Sequence, residues 1–328
     1  MRAAWYTETG PASAVIRVGH LERPRPNRGE VLVRVRASGV NPSDTKKRMG
    51  WRGKELEYPL IVPHHDGAGF IEDVGDNISR SRIGERVWIY NAQYGRAFGT
   101  AAEYVCLPSE QAVFLPEEVP FAEGACLGVP ASTAHFAVFA DGALRGKTLL
   151  IAGGAGAVGH YAIQFAKWGG STVIATVSSQ EKGEHARRAG ADHILNYRQE
   201  DVVARVRAIT AGDGVDRIVE VNFGVNLAVN AALIKPNGVI ASYSSTRVPE
   251  PVLPYYPLAY KGVTLRLVQA YILTPEARQS AIRDITACLR RKSLINAIGH
   301  QFSIEEAAAA HEAVESGTLL GTAVIAIP

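Results

Sequence analysis

The stretch from Leu149 to Gly159, Leu-Leu-Ile-Ala-Gly-Gly-Ala-Gly-Ala-Val-Gly, constrains the fold of this chain more than any other. An apolar run without polar alternation reads as a parallel strand covered on both faces. It empties into Gly154-x-Gly156-x-x-Gly159, and His160 to Trp168 continues at helical spacing. A dinucleotide needs this strand–turn–helix setting. One glycine makes the tight turn, one lets the backbone approach a pyrophosphate, and one packs the helix onto the strand. Ala157 and Val158 open the helix, whose unpaired N–H groups and positive dipole end favour phosphate. Among 32 glycines the motif alone could arise by chance; its setting carries the argument.

The next strand bears on which dinucleotide binds. Ser171-Thr172-Val173-Ile174-Ala175-Thr176-Val177 ends in Ser178-Ser179-Gln180-Glu181-Lys182. An NAD site places an acid at the end of this strand, about 20 residues past the glycines, to hold the ribose 2′-OH. Here small hydroxyls leave room for a 2′-phosphate and Lys182 supplies a cation. Glu181, the nearest acid, lies past the strand end and opens a helix. The pattern predicts NADPH; the alternative is an ordinary solvated lysine at a helix start.

A chain of 328 residues exceeds the size at which single cores stop growing, so two domains are expected. Residues 1–122 read as β-rich, with short runs such as Val31–Ala37, Gly69–Val74 and Glu85–Tyr90 bounded by glycines. From 123 to 294 the runs Thr148–Ala152, Thr172–Val177, Arg217–Val221 and Val239–Tyr243 alternate with helical stretches. This predicts an α/β, doubly wound parallel sheet. Residues 295–328 give a helix and an apolar strand, expected to rejoin the first domain. The net charge of +3 and the short basic clusters give no nucleic-acid surface. No apolar segment approaches the roughly 20 residues that span a bilayer, and residues 1–8 read as an opening strand. Three scattered cysteines argue for a reducing compartment. A cytoplasmic protein is expected.

Further landmarks lie in order along the chain: Gly39-Val40-Asn41-Pro42-Ser43-Asp44, His65-Asp66-Gly67-Ala68-Gly69, Gly84–Val87, Gly99–Tyr104, Leu127–Ala134, Gly190–Arg198, Gly214-Val215-Asp216 and Leu320-Gly321-Thr322. Together with the glycine loop they resemble the zinc-free quinone oxidoreductase (zeta-crystallin-like) branch of the medium-chain dehydrogenase/reductase superfamily. The resemblance implies a GroES-like substrate domain built from both termini (1–122 and 295–328) and a Rossmann domain (123–294), with the active site in the cleft between them. It also assigns residues: Asn41 to the nicotinamide ribose, Thr133 to the carboxamide, Tyr197 to the adenosine phosphate end and Lys182 to the 2′-phosphate. Asn222, Phe223, Ser242 and Tyr243 close the last two strand-like runs, where a cofactor of this fold must pass. Two departures stand out. Positions that are often tyrosine in this branch hold Lys46 and Trp51-Arg52, and the last-strand Gly-Lys is Gly321-Thr322.

Zinc-dependent relatives carry a Cys, a His and a second Cys or acid. Here the first position is Asn41, a poor ligand, with His65, Asp66 and Cys126 near the others; a zinc site needs at least three good donors. No metal is expected. His65 then reads as a hydrogen-bonded residue and Cys126 as a small packed hydrophobe. Without a Lewis acid, the acceptor has to stabilise its own negative charge, which a quinone or an α,β-unsaturated carbonyl does. Trp51, Tyr90, Tyr94 and Tyr243 are candidates for a flat aromatic lining. The expected activity is NADPH-dependent quinone reduction. Alternatives are an enone or 2-alkenal reductase, and an NADPH-binding protein of the crystallin or RNA-binding type. The run Val263–Ile272 reads as one long edge strand, which predicts a homodimer or larger assembly.

Overall fold

The computed structural model describes residues 1–51, 53 and 55–328; Arg52, paired above with Trp51, lies outside them. Seven strands come first: β1 (Arg2–Trp5), β2 (Arg17–His20), β3 (Glu30–Val40), β4 (Asp66–Val74), β5 (Arg86–Ile89), β6 (Tyr104–Pro108) and β7 (Ala112–Phe114). Then follow β8 (Thr148–Ile151), β9 (Thr172–Val177), β10 (His193–Asn196), β11 (Val215–Glu220), β12 (Ile234–Ser242) and β13 (Thr264–Leu267), with β14 (Ile298–Ser303) and β15 (Thr322–Ala326) closing the chain. Residues 1–130 and 282–328 form one compact part, and 131–281 another. These limits differ from the 122 and 295 read from the sequence, and packing explains both. The helix Phe121–Gly124 belongs to the β-rich part, with Phe121 edge-on to Phe70 at 4.8 Å. Beyond residue 282, Arg290 lies over the Phe114 ring and Asn296 donates to Glu123.

In the β-rich part β3 is the spine. It pairs with β4 along one side, and with β6 and then β15 along the other. The antiparallel pairing of β15 with β3 ties the C-terminal segment to this sheet. Its apolar face packs on Ile61, Val62, Val87, Ile89 and Leu107, and Ala307 and Ala310 of the helix Ala307–Ser316 join the same core.

In the parallel-sheet part the strand order is β10-β9-β8-β11-β12-β13, the Rossmann order with its reversal between β8 and β11. Residues Val173 to Val177 of β9 are all buried, as expected for strands covered on both faces. The run Val263–Ile272 is not one strand. Only Thr264–Leu267 pairs with β12, and the chain then turns into a short 3-10 segment, Ala270–Ile272. The turn comes where Val268 donates its N–H to Ser242 and tucks its side chain inward.

Candidate active site

Because β8 to β12 run parallel, their C-terminal ends share one edge of the sheet. That edge carries the glycine loop after β8, Ser178 and Ser179 after β9, Tyr197 after β10, Asn222 and Phe223 after β11, and Ser242 and Tyr243 at β12. In the glycine loop the left-handed residue is Gly153 (φ 67°), one before the motif. Gly154 packs where a Cβ would stand 2.8 Å from the Ala175 Cβ, and Gly159 lies against the Gly153 carbonyl. A Cβ at Gly156 would meet nothing nearer than 3.4 Å. Gly156 is also the N-cap of the helix Ala157–Trp168, with no side chain capping it. Ala157, Val158 and Gly159 therefore offer first-turn amides that no side chain caps, beside the exposed Gly156, and a pyrophosphate fits that cradle.

The outer corner fits a phosphorylated ribose. Asn196 is opposite Val177, and Tyr197 donates its backbone N–H to the Val177 carbonyl, so Tyr197 stands beside Ser178. Ser179 has a structural task that the sequence reading overlooked: its hydroxyl caps the helix Gln180–Arg188 by accepting from the Lys182 N–H at 3.3 Å. Lys182 is half-buried on that first turn, and Tyr197 and Arg198 are exposed. Glu181 is exposed on the helix, off the strand end, and Glu200 accepts the Asn196 backbone N–H at 2.8 Å.

At the other end of the edge Asn222 has a buried Oδ1 with no hydrogen-bond partner, an acceptor suited to a polar ligand atom. Its backbone N–H is fixed by Glu220 Oε1 at 2.6 Å. Glu220 is fully buried and also accepts from Asn226 and Asn230 at 2.9 Å each. Sequence reasoning missed this carboxylate, since an acid ending an apolar strand carries no motif. Phe223 is buried at the start of its helix, and Ser242 is buried near the Ser244 carbonyl. Tyr243 is half-buried, its phenol pushed up by burial and then by Glu220. Thr133 is buried near the start of the helix Ser132–Phe139.

The second group of polar residues lies within the β-rich part, where β3 ends. Asn41 follows β3 directly and caps the helix Pro42–Arg48; Asp44 Oδ2 accepts the Asn41 backbone N–H at 2.7 Å. The Asn41 Nδ2 donates to Asp66 Oδ2 at 2.8 Å, and the same oxygen accepts the Val129 N–H at 2.8 Å. Gly128 makes this possible, since a Cβ there would lie 2.1 Å from Asp66 Oδ1. His65 Nδ1 stands 3.2 Å from Asp44 Oδ1, and burial holds the Asp44 carboxyl well above its usual range. The neighbouring His64, which carried no signal in the sequence, is fully buried in the left-handed region (φ 80°) and meets His311 across 2.9 Å.

Comparison with known proteins agrees with both halves. Residues 27–117 match the family described as alcohol dehydrogenase GroES-like domain, and residues 157–287 the family described as zinc-binding dehydrogenase. A quinone oxidoreductase of Sus scrofa is 31% identical over 290 residues, covering 88% of this chain and 86% of its own. The chain belongs to the quinone oxidoreductase branch of the medium-chain dehydrogenase/reductase superfamily. A mycobacterial protein solved with NADPH is 28% identical and superimposes with a TM-score of 0.89, both chains covered in full. A 2-haloacrylate reductase of a Burkholderia species is 28% identical over 99% of this chain and 98% of its own.

The zinc of the wider dehydrogenase family does not fit the donors of this branch member. The Asn41 amide nitrogen is engaged by Asp66. Cys126 is buried among Ala37, Ala125 and Val324, its thiol pushed up to about 12 by burial and donating to the Ala122 carbonyl. Among the described residues no three His, Cys, Asp or Glu side chains gather as a metal set, and no helix is long and apolar enough to cross a membrane. The aromatic candidates sit in unlike surroundings. Tyr90 is buried with its ring 6.0 Å from Trp88. Tyr94 and Trp51 are exposed, and the Lys46 ammonium lies 5.4 Å from the Trp51 ring.

Proposed function

We propose that this protein is an NADPH-dependent reductase that passes hydride to quinones without a metal. The observation that carries the cofactor choice is the corner of Ser178, Lys182 and Tyr197, which offers hydroxyls and a cation to a 2′-phosphate where β9 ends in serines and not in an acid. The likeness to the mycobacterial NADPH complex supports it. When bound, the nicotinamide supplies the hydride. The first-turn amides of Ala157, Val158 and Gly159 hold the pyrophosphate. Asn222, Phe223, Ser242, Tyr243 and Thr133 take the nicotinamide end, and Asn41 takes its ribose, its amide oriented by Asp66.

The choice of acceptor follows from the donors that the chain lacks. Asn41 and Cys126 are spent on protein partners, so no Lewis acid is set up to stabilise an alkoxide. A quinone that accepts hydride spreads the charge over its own ring, and the protein need only align it and exclude water. Trp51, Tyr90 and Tyr94 are assigned to acceptor contacts. Supporting this reading are the quinone oxidoreductases of Sus scrofa and other species at about 30% identity. The likeness to the 2-haloacrylate reductase supports a second reading with the same chemistry, hydride addition to an activated carbon–carbon double bond. A turnover panel of quinones, enones and 2-haloacrylate with NADPH and NADH tests both. Turnover of quinones with NADPH is expected; turnover of the alkenes alone selects the second reading, and no NADPH oxidation with either class overturns both.

A further inference from the structure

Five buried groups of the β-rich part form a single chain of hydrogen bonds. His311 Nε2 and His64 Nε2 are 2.9 Å apart, and His64 Nδ1 is 2.8 Å from the Ser38 hydroxyl. Ser38 is 2.7 Å from the Thr100 hydroxyl, which is 2.5 Å from the backbone carbonyl of Asp66. His64, His311, Ser38, Thr100 and Asp66 each have a relative exposure of 0%, so the whole chain is shut off from bulk solvent.

The end of this chain fixes the direction of every proton. A carbonyl only accepts, so Thr100 donates to Asp66, and Ser38 must donate to Thr100. Ser38 has then spent its one proton, so His64 Nδ1 carries the N–H that Ser38 accepts. A neutral His64 leaves Nε2 bare, and His311 donates to it from its own Nε2. Burial holds both imidazoles neutral. The tail of the chain, His311 Nδ1, is a buried acceptor without a partner. The reverse polarity would strand an N–H there instead, a rarer and costlier orphan.

The chain also explains why His64 is held in a left-handed conformation that a residue with a Cβ rarely takes (φ 80°). Both ring nitrogens are engaged from opposite sides, by β3 through Ser38 and by the helix Ala307–Ser316 through His311. Pro63 and His64 are further pressed against Gly99, where a Cβ would lie 2.2 Å from the His64 carbonyl. The segment so pinned delivers His65 and Asp66, the residues that contact Asp44 and Asn41.

We propose that His311 is a positioning residue for the Asn41 site. It donates through a one-way chain, by way of His64, Ser38 and Thr100, to the Asp66 backbone, and so fixes the carboxylate that orients the Asn41 amide. The part that concerns turnover rests on the NADPH-reductase reading above; the tautomers do not.

Two measurements test it. Nitrogen-15 NMR of histidine-labelled unmodified protein should find His64 as the Nδ1–H tautomer and His311 as the Nε2–H tautomer. An Nε2–H His64, or a charged ring at neutral pH, overturns the proposal. In kinetics, H311L should lower kcat with NADPH about 10- to 100-fold with the fold intact by circular dichroism. H311Q, which keeps an N–H donor near the Nε2 position, should recover most of the loss. Equal kcat for H311L and the unmodified protein, or no recovery in H311Q, overturns positioning; where H311L does not fold, H311Q and the tautomers decide. A parent protein that oxidises no NADPH sinks the functional reading and leaves the tautomer result standing.

Discussion

Asn41 gives its amide proton to Asp66 across 2.8 Å, in a fully buried pairing where a metal-dependent relative would carry a first zinc ligand. A carboxylate only accepts, so the bond sets which end of the amide faces Asp66. The same Asp66 oxygen accepts the Val129 N–H, so one buried acid holds the end of β3 and the turn before the helix Ser132–Phe139.

Asn41→Ala should therefore act on chemistry more than on folding. Loss of an N-cap costs about 1 kcal/mol, and Val129 still satisfies Asp66 in part. Turnover with NADPH should fall on the order of tenfold or more, since the group proposed to hold the cofactor end is gone. Steady-state kinetics with a parallel melting curve check this; unchanged kcat and KM would refute the role given to Asn41.

Lys182→Glu should weaken NADPH far more than NADH. A charge-assisted phosphate contact is worth roughly 1.5–3 kcal/mol, or one to two decades in Kd. Fluorescence titration of both cofactors measures it. Equal dissociation constants for NADPH and NADH in the unmodified protein would remove the argument from Ser178, Lys182 and Tyr197.

Purified protein should hold well under one zinc per chain, and a chelator should leave quinone turnover intact. Elemental analysis before and after dialysis against the chelator gives the answer. Stoichiometric zinc lost together with activity would overturn the metal-free chemistry.

Stability should decline in mild acid. Burial lowers His64 and His160 from 6.5 to about 3, and His185 and Arg188 add to the shift at His160. Each ring is neutral in the fold and takes up a proton on unfolding, so stability rises with pH across that window. Each should contribute about 1.4 kcal/mol per pH unit between roughly 6.5 and 3, lost as pH falls. The raised Asp44 carboxyl works in the opposite sense, favouring the fold in acid and fading as pH rises. Denaturant melts at pH 7.5, 6.0 and 4.5 should show the decline, with a shallower slope in His160→Asn. Constant or rising stability toward pH 4.5 would be incompatible with this account.

What could be read from the sequence was local. The glycine loop, the serine ends of β9 and the alternation of strands with helices lie within windows of 10 to 20 residues, where period and turn chemistry speak. Asn41 and Lys182 were singled out because each sits beside such a signal. The tight turn was assigned to the motif, whereas Gly153 before it takes the left-handed conformation. Ser179, read as a ligand, also caps the helix that follows it. Glu220, His64 and His311 gave no signal, because their meaning lies in partners brought together by the fold. His64 and His311 are 247 positions apart, and no periodicity connects them.

The last prediction concerns assembly. β13 is the edge of the parallel sheet, and it is shorter than the sequence suggested. Val268 turns its N–H inward to Ser242, so by alternation the Leu267 N–H faces away from β12. Leu267 is also 74% exposed. An open edge with apolar side chains pairs or aggregates unless it is covered. A second copy related by a two-fold axis covers it with the same strand, since such an interface is self-complementary. We expect a homodimer at least, with β13 at its centre. Leu267→Pro would remove the outward donor and leave the inward ladder intact. Light scattering at micromolar concentration should give a dimer or larger mass for the parent and a monomer for this variant, both melting cooperatively. A monomeric parent would end the idea, as would a variant that keeps the parent's mass.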